Sequence, residues 1–199
     1  MQKITLTEDQ EDVLQELMNI AYGNATAVVA EMLDAFASLS IPRIKIIETS
    51  QLINQFQTLE EDSYFFSTQA FIGEFSGESA FFINNKSANN LATHLELESE
   101  DDLDDAILEL TNVLTSSLTT RLAQEMHTEV KFSLPSISKI PLSKMKENQS
   151  FQEYSQVIVI DTQLNFKDQK INGEMFILTK DGSIKWLKNQ LNSILEAMM

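Results

Sequence analysis

Two short rows of polar side chains have the composition and spacing of a functional site. Each row consists of an aspartate, a glutamate four residues later and an asparagine three residues after that. The rows are Asp12, Glu16 and Asn19, and Asp105, Glu109 and Asn112. An asparagine can donate and accept hydrogen bonds without ionising, so it can hold a water molecule, and a glutamate carboxylate suits an incoming lysine. Neither row contains His, Cys or a Ser–His pair, so the usual arrangements for nucleophilic catalysis are missing.

The spacing within each row predicts a helix with one polar face. Because each helical residue turns by about 100°, steps of four and three place the three side chains on the same face. Apolar residues at helical spacing occupy roughly the opposite face in both segments. They are Leu14, Leu17, Ala21 and Val28 in the first segment, and Ile107, Leu110, Leu114 and Leu118 in the second. We therefore expect the core to lie behind each row and the rows themselves to be exposed.

The repetition of the row distinguishes it from an ordinary solvated helix surface. A single exposed Glu–Asn pair is most simply a polar helix face, because short motifs match by chance. Here the internal spacing is identical in both copies, and each asparagine is followed by 22 residues and then a proline, Pro42 or Pro135. The alternative to a retained function is an ancestral duplication that has lost its function.

Hydrophobic periodicity and turn residues predict the same order of elements twice along the chain. Thr7 suits the N-cap of the first long helix, whereas the acidic stretch 96–105 suits either a solvated connector or a helix start at Ser99. The predicted helices are Thr7–Phe36, Lys86–Leu95, Asp102–His127 and Ser183–Met198. The predicted strands are Ile44–Ile47, Tyr64–Phe75, Ser79–Ile83, Tyr154–Ile160 and Gly173–Leu178.

The two halves also match in sequence, since Gly77–Ile83 resembles Gly173–Leu178 and a polar turn and an amphipathic helix follow each. A hairpin cannot bury its apolar face alone, so we expect two αβββα units to pair into one continuous sheet. Strands that short turns connect run antiparallel. The sequence therefore predicts an α+β fold, an internal duplication of an αβββα unit with a pseudo-two-fold axis, in which a mainly antiparallel sheet packs against long helices. We expect residues 1–199 to form a single domain of two repeats, about 7–95 and 102–198.

The composition argues against several classes of function. Of the 199 residues, 30 are acidic and 14 are basic, and the formal net charge is −16. Binding to nucleic acid or to an anionic membrane draws its affinity from Lys and Arg, so neither partner is expected. Without cysteine there can be no disulfide and no thiolate metal site. The sequence shows no apolar stretch typical of a signal peptide or a membrane span, so we expect a cytoplasmic protein.

The repeated pattern resembles the signature of the CheC/CheX/FliY family of bacterial chemotaxis phosphatases, Asp/Ser-x-x-x-Glu-x-x-Asn followed by 22 residues and Pro. The resemblance covers nearly the whole chain, and the two-copy layout is most similar to the CheC branch. It implies that the substrate is the aspartyl phosphate of a CheY-like response regulator. The implied roles are orientation of the attacking water by Asn19 and Asn112, pairing with the regulator's lysine by Glu16 and Glu109, and support by Asp12 and Asp105.

The resemblance further implies that this chain needs no metal or cofactor of its own, because Mg²⁺ belongs to the response regulator. Such a division of labour is physically coherent, since phosphoryl transfer needs positioning and electrostatics more than covalent help from the protein. One alternative is a non-catalytic binding module that docks on a phosphorylated response regulator or on a CheD-like deamidase. Another is a structural part of a flagellar switch or signalling scaffold.

Overall fold

The computed structural model describes residues 4–40, 43–48, 51, 63–141, 156–179 and 181–198, and it has the predicted α+β fold. Four helices have both ends within these ranges. They are α1 (Glu8–Met32), α2 (Asn85–His94), α3 (Glu100–Glu125) and α4 (Asp181–Met198). The same ranges contain eight strands, which form one antiparallel sheet. They are β1 (Ser38–Leu39), β2 (Arg43–Glu48), β3 (Ser63–Gly73), β4 (Gly77–Asn84), β5 (Val130–Phe132), β6 (Ser136–Pro141), β7 (Gln156–Phe166) and β8 (Ile171–Thr179).

Both long helices begin at capping boxes, which fix where each polar row starts. Thr7 Oγ1 accepts a hydrogen bond from the backbone N–H of Gln10 at 3.3 Å, and Gln10 Oε1 accepts one from the Thr7 N–H at 2.9 Å. In α3, Ser99 Oγ accepts from the Asp102 N–H at 3.1 Å, and Asp102 Oδ2 accepts from the Ser99 N–H at 3.0 Å. These reciprocal bonds satisfy donors that a helix start would otherwise leave unpaired. The acidic stretch therefore contains a helix start, and any connector ends at Ser99.

The buried faces of α1 and α3 agree with the prediction except at one residue. In α3 all four predicted residues are fully buried, and in α1 Leu14, Leu17 and Ala21 are buried. Val28 is instead exposed, and Val29 lies in the core in its place. In a straight α-helix, every seventh residue is rotated by about 20° around the helix axis relative to the one before it. Over two repeats from Leu14 this drift carries Val28 off the buried face.

Both long helices end earlier than predicted. α1 ends at Met32 rather than at Phe36, and Asp34 follows with a positive φ of 44°. α3 ends at Glu125 rather than at His127, which itself has a φ of 55°. A residue in the left-handed region terminates a helix because it turns the backbone out of the helical path. Neither position is a glycine, so the usual sequence signal for such an end is missing.

The sheet exchanges strands between the two halves of the chain, which the sequence analysis did not predict. Its central strands follow the order β7-β8-β4-β3. β1 and β2 pair with β7, whereas β5 and β6 pair with β3. Each half therefore supplies the edge of the sheet on the other half's side. β2 was expected as a strand but not as a partner of β7, since hydrophobic periodicity does not identify pairing partners.

Strand registers repeat between the halves with the offset of the polar rows. Asp105 lies 93 residues after Asp12. Thr68 pairs with Ser136, and the residues 93 positions away, Asp161 and Arg43, pair with each other. Equivalent registers of this kind agree with an internal duplication.

The sheet is buried on both faces. On one face, α1 and α3 pack with strand residues such as Phe71 and Phe81. The other face forms a second buried cluster around three phenylalanines, in which the ring centroids of Phe66 and Phe82 are 4.8 Å apart and those of Phe82 and Phe176 are 5.6 Å apart. Within the described ranges, no helix is long and apolar enough to cross a membrane.

Candidate functional site

The first polar row lies on the outer face of α1. Asp12, Glu16 and Asn19 are all exposed. Asn19 Oδ1 accepts a hydrogen bond of 3.2 Å from Gln15 Nε2, one turn earlier on the same helix. A pair of exposed side chains at this spacing contributes only about 0.2–0.5 kcal/mol. The amide of Asn19 is therefore weakly held. The proline of this copy, Pro42, lies outside the described residues.

The second polar row borders an open groove of about 660 Å³ between α3 and the segment that joins β5 to β6. Asp105 and Glu109 are exposed, and Asn112 is half-buried. The groove brings Pro135, which the sequence analysis noted only for its spacing, into the same lining as Asn112. The remaining lining residues are Gln69, Leu108, Phe132, Ser133 and Leu134.

One buried glutamine of β3 holds Asn112 in place. Gln69 is 1% exposed, and its Nε2 donates to Asn112 Oδ1 at 2.9 Å and to the backbone carbonyl of Ser133 at 2.9 Å. β3 belongs to the first half of the chain, whereas α3 and Ser133 belong to the second. The strand exchange therefore completes the second site with a residue from the other half.

These two bonds fix which end of the Asn112 amide faces the groove. The Ser133 carbonyl oxygen can only accept, so the Gln69 atom that contacts it must be the NH₂ group. The Asn112 atom that faces the same NH₂ group must then be an acceptor, its Oδ1. In the part of the chain that the structure describes, no group accepts from Asn112 Nδ2. Asn112 can therefore offer two N–H donors and one Oδ1 lone pair to a ligand.

A polar contact beneath the second site has no equivalent beneath the first polar row among the residues that the structure describes. Thr115 Oγ1 donates to Ser79 Oγ at 2.8 Å, and Ser79 is the cross-strand neighbour of Gln69. The strand position equivalent to Gln69 in the other half is Thr162, and Thr162 pairs with Met175. By register, Met175 is therefore the counterpart of Ser79. Met175 is fully buried and apolar. The fold thus accepts an apolar residue at the position equivalent to Ser79, the polar residue beneath the second site.

The arrangement can present an amide and carboxylates to a ligand, and in the described part of the groove the Ser133 hydroxyl bonds only to backbone groups, so no base activates it as a nucleophile. Within the described ranges, no group of three or more His, Cys, Asp or Glu residues could hold a metal ion. Gln69 was not predicted as a site residue, because Ser67 and Thr68 beside it in the strand are also polar and its carboxamide does not stand out in the sequence. Leu134, which is 92% exposed at the rim of the groove, was not predicted either.

Comparisons with known proteins agree with this architecture. Residues 65–160 match the family model for "Chemotaxis phosphatase CheX". The chain is 25% identical to "CheY-P phosphatase CheC" of Bacillus subtilis (strain 168) over 198 residues, which cover 87% of this chain and 89% of the relative. The predicted resemblance to the CheC/CheX/FliY family is confirmed.

The fold is also similar to those of solved structures. The fold matches that of Thermotoga maritima FliY with a TM-score of 0.75, at 13% identity, over 96% of this chain and 99% of that chain. It also matches the H. pylori FliM in a FliM–SpeE complex with a TM-score of 0.62, at 14% identity, over 95% and 97% of the two chains. The CheX family match includes the Asn112 row and ends at β7, whereas the CheC match covers most of the chain.

Proposed function

We propose that this chain hydrolyses the aspartyl phosphate of a CheY-like response regulator. The observation that carries the proposal is the position of Asn112. A buried glutamine holds its side chain, and Asn112 lies beside Glu109 at an open groove. The row of which Asn112 forms part occurs twice on exposed helix faces. A similar chain, CheC of Bacillus subtilis, is named as a phosphatase of phosphorylated CheY.

In the proposed reaction Asn19 or Asn112 orients the attacking water, and the response regulator supplies Mg²⁺ and a lysine. The water oxygen bonds to phosphorus as the bond to the aspartyl oxygen breaks. The aspartate of the regulator is regenerated, and dihydrogen phosphate leaves with both protons of the water. No base from this chain is needed for that balance, so positioning is the contribution that remains for it.

The carboxylates of each row provide the docking register. Glu16 or Glu109 pairs with the lysine of the regulator, and Asp12 or Asp105 adds negative charge one turn away. A charge-assisted bond between lysine and carboxylate is stronger than a neutral one and fixes where the helix docks. The net charge of −16 favours partners with a basic docking face. Leu134 at the rim supplies an apolar contact beside these charges.

The test is phosphate release from a Mg²⁺-loaded response regulator that has been charged with a small acyl phosphate. Wild type, Asn19→Ala and Asn112→Ala are compared, with Asn24→Ala as a matched control, because Asn24 is an exposed asparagine of α1 outside the row. We expect each motif substitution to lower the acceleration while the control leaves it unchanged. Equal rates for all four proteins would overturn the proposal.

The second candidate is a non-catalytic binding module for a phosphorylated regulator or a CheD-like deamidase. The shared fold of the H. pylori FliM, which was solved in complex with SpeE, favours it, because that fold there supports protein–protein contact. In this case the asparagine substitutions would change the affinity for the charged regulator without changing its rate of dephosphorylation.

A further inference from the structure

We infer that Gln69 is a positioning residue of the second site, which selects one orientation of the Asn112 amide and so fixes the attacking water. The inference rests on the proposed function and deepens it. Gln69 lies on β3, 43 positions before Asn112, and belongs to neither polar row. It acts on the reaction through Asn112 alone.

A free asparagine on a helix surface samples several states. Its side chain has at least two accessible χ1 wells in a helix, and its amide can present either the oxygen or the NH₂ group outward. The two hydrogen bonds that Gln69 Nε2 donates are compatible with only one of these states. A water bound to that amide has one position relative to the docked phosphoryl group. The entropy cost of ordering the Asn112 side chain is therefore already included in the folded protein before the regulator binds.

The packing of Gln69 indicates that the fold itself does not require it. Gln69 is 1% exposed, and in the described part of the chain its Oε1 has no hydrogen-bond partner. A buried carbonyl without a partner is unfavourable, and such groups in a folded protein call for an explanation. The other half of the fold has Met175 opposite the equivalent strand position, where this half has Ser79. The strand position equivalent to Gln69 is Thr162, so the glutamine, and not a polar residue as such, is particular to this site.

The two sites provide an internal control for a test. Asn19 is held only by Gln15 on its own helix, and Gln69 makes no contact with the first row among the described residues. Gln69→Met keeps an unbranched side chain of similar volume but removes both donors. It should therefore act on the second site and spare the first.

Phosphate release is measured with Gln69→Met in two backgrounds. In Asn19→Ala, where the second site works alone, we expect kcat to fall about five- to tenfold as the lost states return, with KM unchanged because Glu109 still docks. In Asn112→Ala, where the first site works alone, we expect no change. A urea unfolding midpoint equal to or above that of the parent would show that the loss does not come from unfolding.

The outcomes separate the inference from the proposed function. If Asn19→Ala retains activity that the further change Asn112→Ala abolishes, but Gln69→Met leaves kcat unchanged in Asn19→Ala, the positioning role is wrong and the phosphatase stands. An equal loss in both backgrounds would indicate a structural role and would also overturn the inference. If the double asparagine variant is as active as wild type, both fail together.

Discussion

Replacing Asn112 by aspartate changes one functional group of the proposed site and should strongly lower its activity. The substitution keeps the side-chain volume and the Oδ1 acceptor that Gln69 Nε2 contacts at 2.9 Å, but it exchanges the NH₂ group for a charged oxygen. Asn and Asp have similar helix propensities, and position 112 is half-buried at the surface, so the fold should tolerate the change. The main effect of the substitution is then the repulsion between the new carboxylate and the phosphoryl group of the substrate.

The magnitude follows from Coulomb's law. A water held about 3 Å from the side chain and about 3 Å from phosphorus places the new carboxylate on the order of 5 Å from the phosphoryl oxygens. At that distance and an effective dielectric constant of about 20, two unit negative charges repel by roughly 3 kcal/mol. Because 1.36 kcal/mol is a factor of ten in rate, we expect kcat/KM at this site to fall by roughly 200-fold.

The assay uses the Asn19→Ala background, so that the second site alone reports. Phosphate release with Asn112→Asp is compared with Asn112→Ala, and repulsion predicts that the aspartate variant is no faster than the alanine variant. A variant that kept more than about a tenth of the parent rate would refute the reasoning. So would a rate that rises with pH through the titration of a carboxylate, since the site would then need a base and not a held water.

Further predictions concern docking and stability. Leu134→Ala should raise KM about five- to tenfold with kcat unchanged, because it removes an apolar contact at the rim. The control Ile72→Ala, at a residue 62% exposed and outside the groove lining, should change neither constant. Steady-state kinetics checks both variants. Gly77→Ala should destabilise the fold by about 3 kcal/mol in urea unfolding, because a Cβ there would lie 2.1 Å from the Leu178 carbonyl oxygen, in the backbone of β8. Gly23→Ala should stabilise it by about 0.5–1 kcal/mol, since nothing lies within 4 Å of a Cβ in this helix interior; a loss of stability would contradict this. Ser99→Ala should cost about 1 kcal/mol through the lost cap of α3, and an unchanged midpoint would argue against the capping box.

Local features of the fold could be predicted from the sequence because short stretches encode them. Thr7 was predicted as an N-cap, and Ser99 as one of two interpretations of the acidic stretch. The helix period placed both polar rows opposite the buried residues. The prediction was wrong at the exposed Val28, because a seven-residue step drifts off the buried face of a straight helix. The two- and three-residue strands β1 and β5 were missed because they are too short to carry an alternating pattern, and β6 was missed although Pro135 precedes it.

The strand exchange could not be predicted, and it hid part of the candidate site. β2 and β6 pair with β7 and β3 of the other half, and α3 packs on β3, where Gln69 Nε2 lies 2.9 Å from Asn112 Oδ1. Periodicity does not mark Gln69, because Ser67 and Thr68 in the same strand are polar as well. Its significance depends on a contact across 43 positions of sequence. The roles of the asparagine and glutamate residues stay predictions that kinetics must test.

The central claim is that Asn19 and Asn112 together account for catalysis. The most direct measurement is the rate of phosphate release from a charged, Mg²⁺-loaded CheY-like response regulator with wild type and with the Asn19→Ala, Asn112→Ala double variant. We expect the double variant to return the rate to that of the regulator alone while it still binds the charged regulator. A double variant as fast as wild type would contradict the proposed roles of Asn19 and Asn112, because dephosphorylation would then proceed without either asparagine.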